Sequence, residues 1–109
     1  MIEAMYGVEF VSQEMSGYGV AVLETGRILG GDTSFVYIGS YEVTNGIVSA
    51  QVKCTNDRDV LPSVFGDIKE FNLDLQGTLN DKEFILQGHM VENPNLSIGI
   101  KLTRRAELP

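Results

Sequence analysis

The sequence predicts an all-β chain folded as an eight-stranded, up-and-down antiparallel barrel. Three observations carry this. Apolar and polar residues alternate with a period of two through most of the 109 residues, as strands with one covered face require. Turn signals recur at spacings of roughly 8–12 residues, the rhythm of sandwiches and barrels. Glycine is common at 12 and proline scarce at 3, a balance suited to many strands joined by tight turns. Sequential hairpins with one longer break favour a barrel, which leaves no exposed edge; eight strands enclose side chains or one small ligand. The length, with 43 % hydrophobic residues, gives room for one domain and one core across residues 1–109.

The first strand is expected at Met5–Ser12, with Tyr6, Val8 and Phe10 alternating against Met5, Gly7 and Glu9. After a polar turn at Gln13-Glu14, the second strand, Ser16–Thr25, holds the nearly continuous apolar run GYGVAVLE. A run of that kind belongs to a strand covered on both faces. Thr25-Gly26 turns the chain into a short strand at Arg27–Leu29, and Gly30-Gly31-Asp32 reads as a tight corner. Adjacent glycines accept φ > 0, and an aspartate at a turn bonds the backbone that follows it. The fourth strand carries Phe35, Tyr37 and Tyr41 on one side, with Gly39 among them as the mark of a bend or bulge.

Thr44-Asn45-Gly46 is the strongest hairpin signal in the chain. The fifth strand, Ile47–Thr55, alternates Val48, Ala50, Val52 and Cys54 against Ser49, Gln51 and Lys53. Asn56–Asp67 breaks the rhythm: Pro62 and Gly66 argue against a strand interior. At most one short helical turn is expected near residues 60–66, with Val60, Leu61, Val64 and Phe65 tucked against the barrel. The sixth strand, Ile68–Leu79, sets Phe71, Leu73, Leu75 and Leu79 against Glu70, Asn72, Asp74 and Gln76. Asn80-Asp81-Lys82 turns into the seventh, Glu83–Val91, with Phe84, Leu86 and Met90 inward. Leu75-Gln76-Gly77 and Leu86-Gln87-Gly88 echo one another, as two similar strands of one sheet would. The last turn, Glu92–Asn95, leads to the eighth strand, Leu96–Arg104, and a free tail from Ala106.

Few residues carry chemistry. His89 is the sole histidine and Cys54 the sole cysteine, expected on opposite faces, which leaves neither a catalytic pair nor a zinc set. Cys54 reads as a small buried hydrophobe. Asp57/Asp59 and Glu70/Asp74 are acidic pairs, but Asn56-Asp57-Arg58-Asp59 lacks the glycine and distal glutamate of a calcium loop. Gly17-Tyr18-Gly19 lacks the third glycine of a dinucleotide fingerprint. No catalytic residue, cofactor or metal ligand is therefore assigned, and an enzyme is not expected. Tyr6, Tyr18, Tyr37 and Tyr41 have two readings: hydroxyls carried into a hollow interior, or ordinary strand residues filling a core. The first reading makes Tyr6, Tyr37, Tyr41, Phe71 and Phe84 the walls of an apolar ligand cavity.

Formal net charge is −7, from 15 acidic and 8 basic residues. An acidic chain with scattered cations is a poor direct ligand for nucleic acid, whose phosphates dominate affinity. One cysteine allows no intrachain disulfide, MIEAMYGVEF does not read as a signal peptide, and no apolar run approaches a membrane span. The expectation is a cytoplasmic protein without membrane contact.

Tyr6-Gly7-x-x-Phe10, Gly17-x-Gly19 before an apolar strand, Ile28-x-Gly30-Gly31-Asp32, Tyr37-x-Gly39 and Pro62-Ser63-Val64 together form a pattern covering most of the chain. It resembles the GrlR-like negative regulators of type III secretion. The resemblance implies a lipocalin-like barrel with an apolar interior that forms a homodimer. It also implies a regulator acting by binding a transcriptional activator protein rather than DNA. In the typifying member of that family an acidic Glu-Asp-Glu-Asp loop follows the Tyr-x-Gly strand and matters for regulation. Here the corresponding turn, Tyr41–Gly46, holds one acid, so the partner contacts implied fall on Glu42, Thr44 and Asn45. The alternative is a carrier or sensor with a small apolar ligand inside the barrel.

Overall fold

The computed structural model describes residues 2–12, 16–57 and 68–109. Eight strands follow in order: β1 Ala4–Ser12, β2 Ser16–Glu24, β3 Arg27–Gly31, β4 Phe35–Thr44, β5 Ile47–Asn56, β6 Glu70–Thr78, β7 Glu83–Met90 and β8 Ser97–Ala106. Each pairs antiparallel with the next, and β8 closes on β1, so the sheet is an up-and-down barrel without an edge. Among the described residues there is no helix. The helical turn expected over 60–66 and the Gln13-Glu14 turn lie outside the described residues. β8 runs on to Ala106, opposite Met5, so the free tail is shorter than expected. Tyr6 pairs with Arg104 while Met5 pairs with Ala106, which leaves Arg105 as the extra residue of a bulge.

Two hairpins are built alike. Thr25-Gly26 and Asn45-Gly46 both take positive φ, 52° then 77°, the paired left-handed conformation whose twist matches that of the flanking strands. Both are also tied to a neighbouring strand. The Gly26 carbonyl accepts from Tyr41 N at 2.9 Å, and the Gly46 carbonyl from Leu79 N at 2.8 Å.

The glycine corner lies elsewhere than the sequence suggests. Gly30 and Gly31 are the last two residues of β3, paired with Tyr37 and Val36 on β4, and neither has positive φ. The turn is Asp32-Thr33-Ser34, closed by Asp32 N donating to the Phe35 carbonyl at 2.9 Å. Glycine is needed at 30 because strands approach closely: a Cβ there would sit 2.7 Å from Ala21 Cα and press on the Val20 carbonyl. Gly39 likewise makes no bulge, since β4 and β5 keep one register from Phe35↔Asn56 to Thr44↔Ile47. It lets β5 come close, a Cβ falling 2.9 Å from Val52 Cα.

Inward positions form one core: Tyr6, Val8, Leu23, Phe35, Tyr37, Tyr41, Phe71, Leu73, Leu75, Phe84, Leu86 and their neighbours are buried. Tyr18 departs from the inward reading. It is 53 % exposed, with its ring against the outer side of Gly7. The alternation of β2 puts Ala21 and Leu23 inside, which sends Tyr18, Val20 and Val22 outward.

Candidate functional site: an apolar cavity and an uncovered outer face

The core does not fill the barrel. A cavity of about 310 Å³ runs inside it, walled by apolar side chains from β1 to β8 and bordered at one end by Ser16, Asp32, Thr33 and Ser34. This volume is at the lower end of the range for small-molecule sites. Of the aromatic residues singled out from the sequence, Tyr37, Tyr41 and Phe71 line it, and Tyr18 borders it beside Ser16 and Gly17. Phe35 and Phe10 join them: Phe35 meets Phe71 at 5.7 Å between centroids, and Phe10 meets Tyr37 edge-on at 6.2 Å. Tyr6 and Phe84 are not part of this wall. They pack edge to face at 5.5 Å near the opposite end, where Tyr6 is wholly buried and its hydroxyl donates to the Ile2 carbonyl at 2.6 Å. The Arg104 guanidinium stacks over the Tyr6 ring, 5.8 Å from its centroid. Burial of Tyr6 raises its phenol pKa, opposed by the charge of Arg104.

Asp32 is the organising group at the polar end. Its Oδ1 accepts from the backbone N–H of Ser34 at 3.0 Å and of Phe35 at 2.8 Å, which fixes the turn. Its Oδ2 accepts the Tyr37 hydroxyl in a short hydrogen bond. Tyr37 is therefore held protonated: burial, reinforced by this bond and by the Asp32 charge, pushes its phenol far above the usual range.

Cys54 also faces the cavity. Burial, with a smaller push from the Asp32 charge, raises its thiol to about 12. Two outcomes are expected. A thiol-reactive chromogen at pH 8 should leave Cys54 untouched in the folded protein and modify it on unfolding, because the reactive species is the thiolate. Stability should also fall as pH climbs above about 9, where the unfolded thiol ionises and the folded one does not. The unfolded state then binds fewer protons, so the slope is negative, at most about 1.4 kcal/mol per pH unit from this group. Urea midpoints measured between pH 8 and 11 check this, and a midpoint that rises over that window would contradict the buried-thiol assignment.

His89 stands on the outer wall opposite Asp74 and Ser97, while Cys54 is inside, so the fold keeps the two apart. The outer wall holds a second feature, signalled only by the apolar run of β2. Val20, Leu29 and Ile38 are 46 %, 45 % and 58 % exposed. They are neighbours: Leu29 pairs with Val22 and with Ile38, and Gly31 with Val20 and Val36. The outward side of β4 then continues from Val36 and Ile38 through Ser40, Glu42 and Thr44, all exposed, to Asn45 in the turn. The three partner-contact residues implied by resemblance thus close one end of an uncovered apolar stripe.

A family model described as the T3SS negative regulator GrlR matches residues 1–102, which takes in β1 to β7 and β8 as far as Leu102. No curated protein matches the chain.

Proposed function

Because the chain belongs to the GrlR family of type III secretion negative regulators, we propose that it represses by holding a transcriptional activator protein through the outer face of β2–β4. The role is non-catalytic and is exercised in the cytosol, where such an activator works. The observation that carries this reading is the uncovered apolar stripe of Val20, Leu29 and Ile38, which runs into Glu42, Thr44 and Asn45. β2 has apolar residues on both faces, and the barrel covers only the inner one. Contiguous exposed apolar surface with a polar rim is the ordinary mark of a protein-contact site. A closed barrel offers no edge to which a partner adds a strand, so recognition falls to side chains on a face. The net charge of −7 complements the basic surface a DNA-binding partner carries.

A second copy of this chain is the competing occupant, since self-association favours the more apolar part of a surface. Ile38→Asp and Glu42→Lys, with an activator encoded beside the gene as ligand, separate the two. Titration calorimetry is expected to show at least a tenfold loss of activator affinity for Ile38→Asp, and a smaller loss for Glu42→Lys, with sedimentation unchanged. A dimer that Ile38→Asp dissociates while activator affinity holds would assign the stripe to self-association and overturn it as the activator site.

A further inference from the structure

We propose that the barrel cavity is a binding site for an uncharged, single-chain lipid whose polar head donates a hydrogen bond, of the fatty alcohol or monoacylglycerol class, and that it discriminates against fatty acids. The cavity is apolar along its length and holds one charged side chain among its described lining residues, Asp32; none of those residues is lysine or arginine. A fatty-acid site needs a cation or a set of free donors for the carboxylate. This one presents a carboxylate instead.

The hydrogen-bonding state of the polar end narrows the head group. Both oxygens of Asp32 are engaged, Oδ1 by two backbone N–H groups and Oδ2 by the Tyr37 hydroxyl. The single proton of Tyr37 is spent on Asp32, so what Tyr37 and Asp32 still offer a ligand is lone pairs. Toward these two groups an incoming head must donate. Alcohols do; carboxylates and simple esters do not.

Further along the same strand stands a second polar atom. Tyr41 lines the cavity, is 8 % exposed, and its hydroxyl makes no hydrogen bond among the described residues. No fully buried side-chain polar atom among the described residues lacks a partner, so this hydroxyl is open to the cavity space, where a ligand or water can meet it. Tyr37 and Tyr41 are four residues apart on β4, about 13 Å along a strand. A linear chain of medium length spans that gap between the two polar points, and a monoacylglycerol adds a carbonyl to accept from a phenol.

The test is displacement of an uncharged fluorescent apolar probe, N-phenyl-1-naphthylamine, from the full chain, with native mass spectrometry to count bound ligand. 1-Dodecanol and 1-monodecanoylglycerol are expected to displace the probe at one per chain, with dodecanoate at pH 8 at least tenfold weaker. Tyr37→Phe removes one acceptor and frees another, Asp32 Oδ2, so the preference for alcohol over carboxylate is expected to persist, with the circular dichroism spectrum unchanged. Asp32→Asn keeps an oxygen for the turn and removes the charge, so it should narrow the gap between alcohol and carboxylate. Equal or tighter binding of dodecanoate to the native chain overturns the proposal. So does failure of both neutral lipids to bind, or indifference of the alcohol–carboxylate ratio to Asp32→Asn. None of these readouts depends on the activator, so the cavity and the regulatory surface stand or fall separately.

Discussion

Gly30→Val is expected to destabilise the barrel severely. The inward side of Gly30 is closed off by β2: a Cβ would lie 2.7 Å from Ala21 Cα and 3.0 Å from Ala21 Cβ, and would press on the Val20 carbonyl. These are atoms of a paired strand, Val20 opposite Gly31 and Ala21 opposite Gly30. They cannot withdraw without breaking the ladder. The expected cost exceeds about 4 kcal/mol, the scale reserved for overpacking of this severity, against a total stability of about 5–15 kcal/mol for a domain. Gly31→Val should be milder, because its Cβ meets the Phe35 carbonyl at 2.8 Å and nothing else within 3.8 Å. Asp32→Asn should leave the fold largely intact, because an amide oxygen still accepts from Ser34 and Phe35. Soluble yield and the thermal midpoint rank the three. A Gly30→Val chain that melts within a few degrees of the native one would sink the close-approach account.

Phe84→Ala is expected to be the most damaging side-chain truncation, at about 3–5 kcal/mol in urea unfolding. Phe84 is 3 % exposed, stacks edge-on against the fully buried Tyr6, and lies at the packed end of the barrel. Nothing there relaxes into the hole it would leave. Phe71 is equally buried at 4 % but lines the cavity. Phe71→Ala enlarges a space already present rather than opening a new one, and should cost at least about 1 kcal/mol less. Equal costs would mean that the cavity is filled in solution, by ligand or by collapse.

The strands were legible because alternation is a property of the chain itself. Phe71, Leu73 and Leu75 against Glu70, Asn72 and Asp74 leave one way to cover the apolar side, and the barrel uses it. Turn chemistry was equally local, as Asn45-Gly46 shows. What sequence does not carry is the approach of one strand to another. Gly30 reads as a turn residue next to Gly31 and Asp32, and only the pairing with Ala21 shows that its missing side chain makes room for β2. The echo Leu75-Gln76-Gly77 and Leu86-Gln87-Gly88 has the same cause. Leu75 pairs with Gly88 and Gln76 with Gln87, and a Cβ on either glycine would meet its neighbour's leucine at 3.0 Å.

The candidate sites were harder to read, since a hollow barrel and a filled one share the same inward pattern. Tyr37, Tyr41 and Phe71 were separable from Tyr6 and Phe84 only by their height along the barrel axis, which depends on stagger rather than on alternation. The outer stripe left one trace, the two-sided apolar character of β2. In the sequence it stands for a covered second face; in the fold, Val20, Leu29 and Ile38 on that face stay exposed.

Closure of β8 on β1 has a kinetic consequence. Met5 pairs with Ala106 and Ser12 with Ile98, contacts about as remote along the chain as it allows. Every other pairing joins consecutive strands and forms as a growing meander. The seam waits for β8 to be synthesised, while β1 keeps an unsatisfied row of backbone donors and acceptors. The loop it closes spans nearly the whole chain, so its entropic cost precedes any gain from contacts across it. Refolding should therefore be limited by the seam, and the species preceding it, an open sheet with two free edges, is the form most prone to aggregate during synthesis.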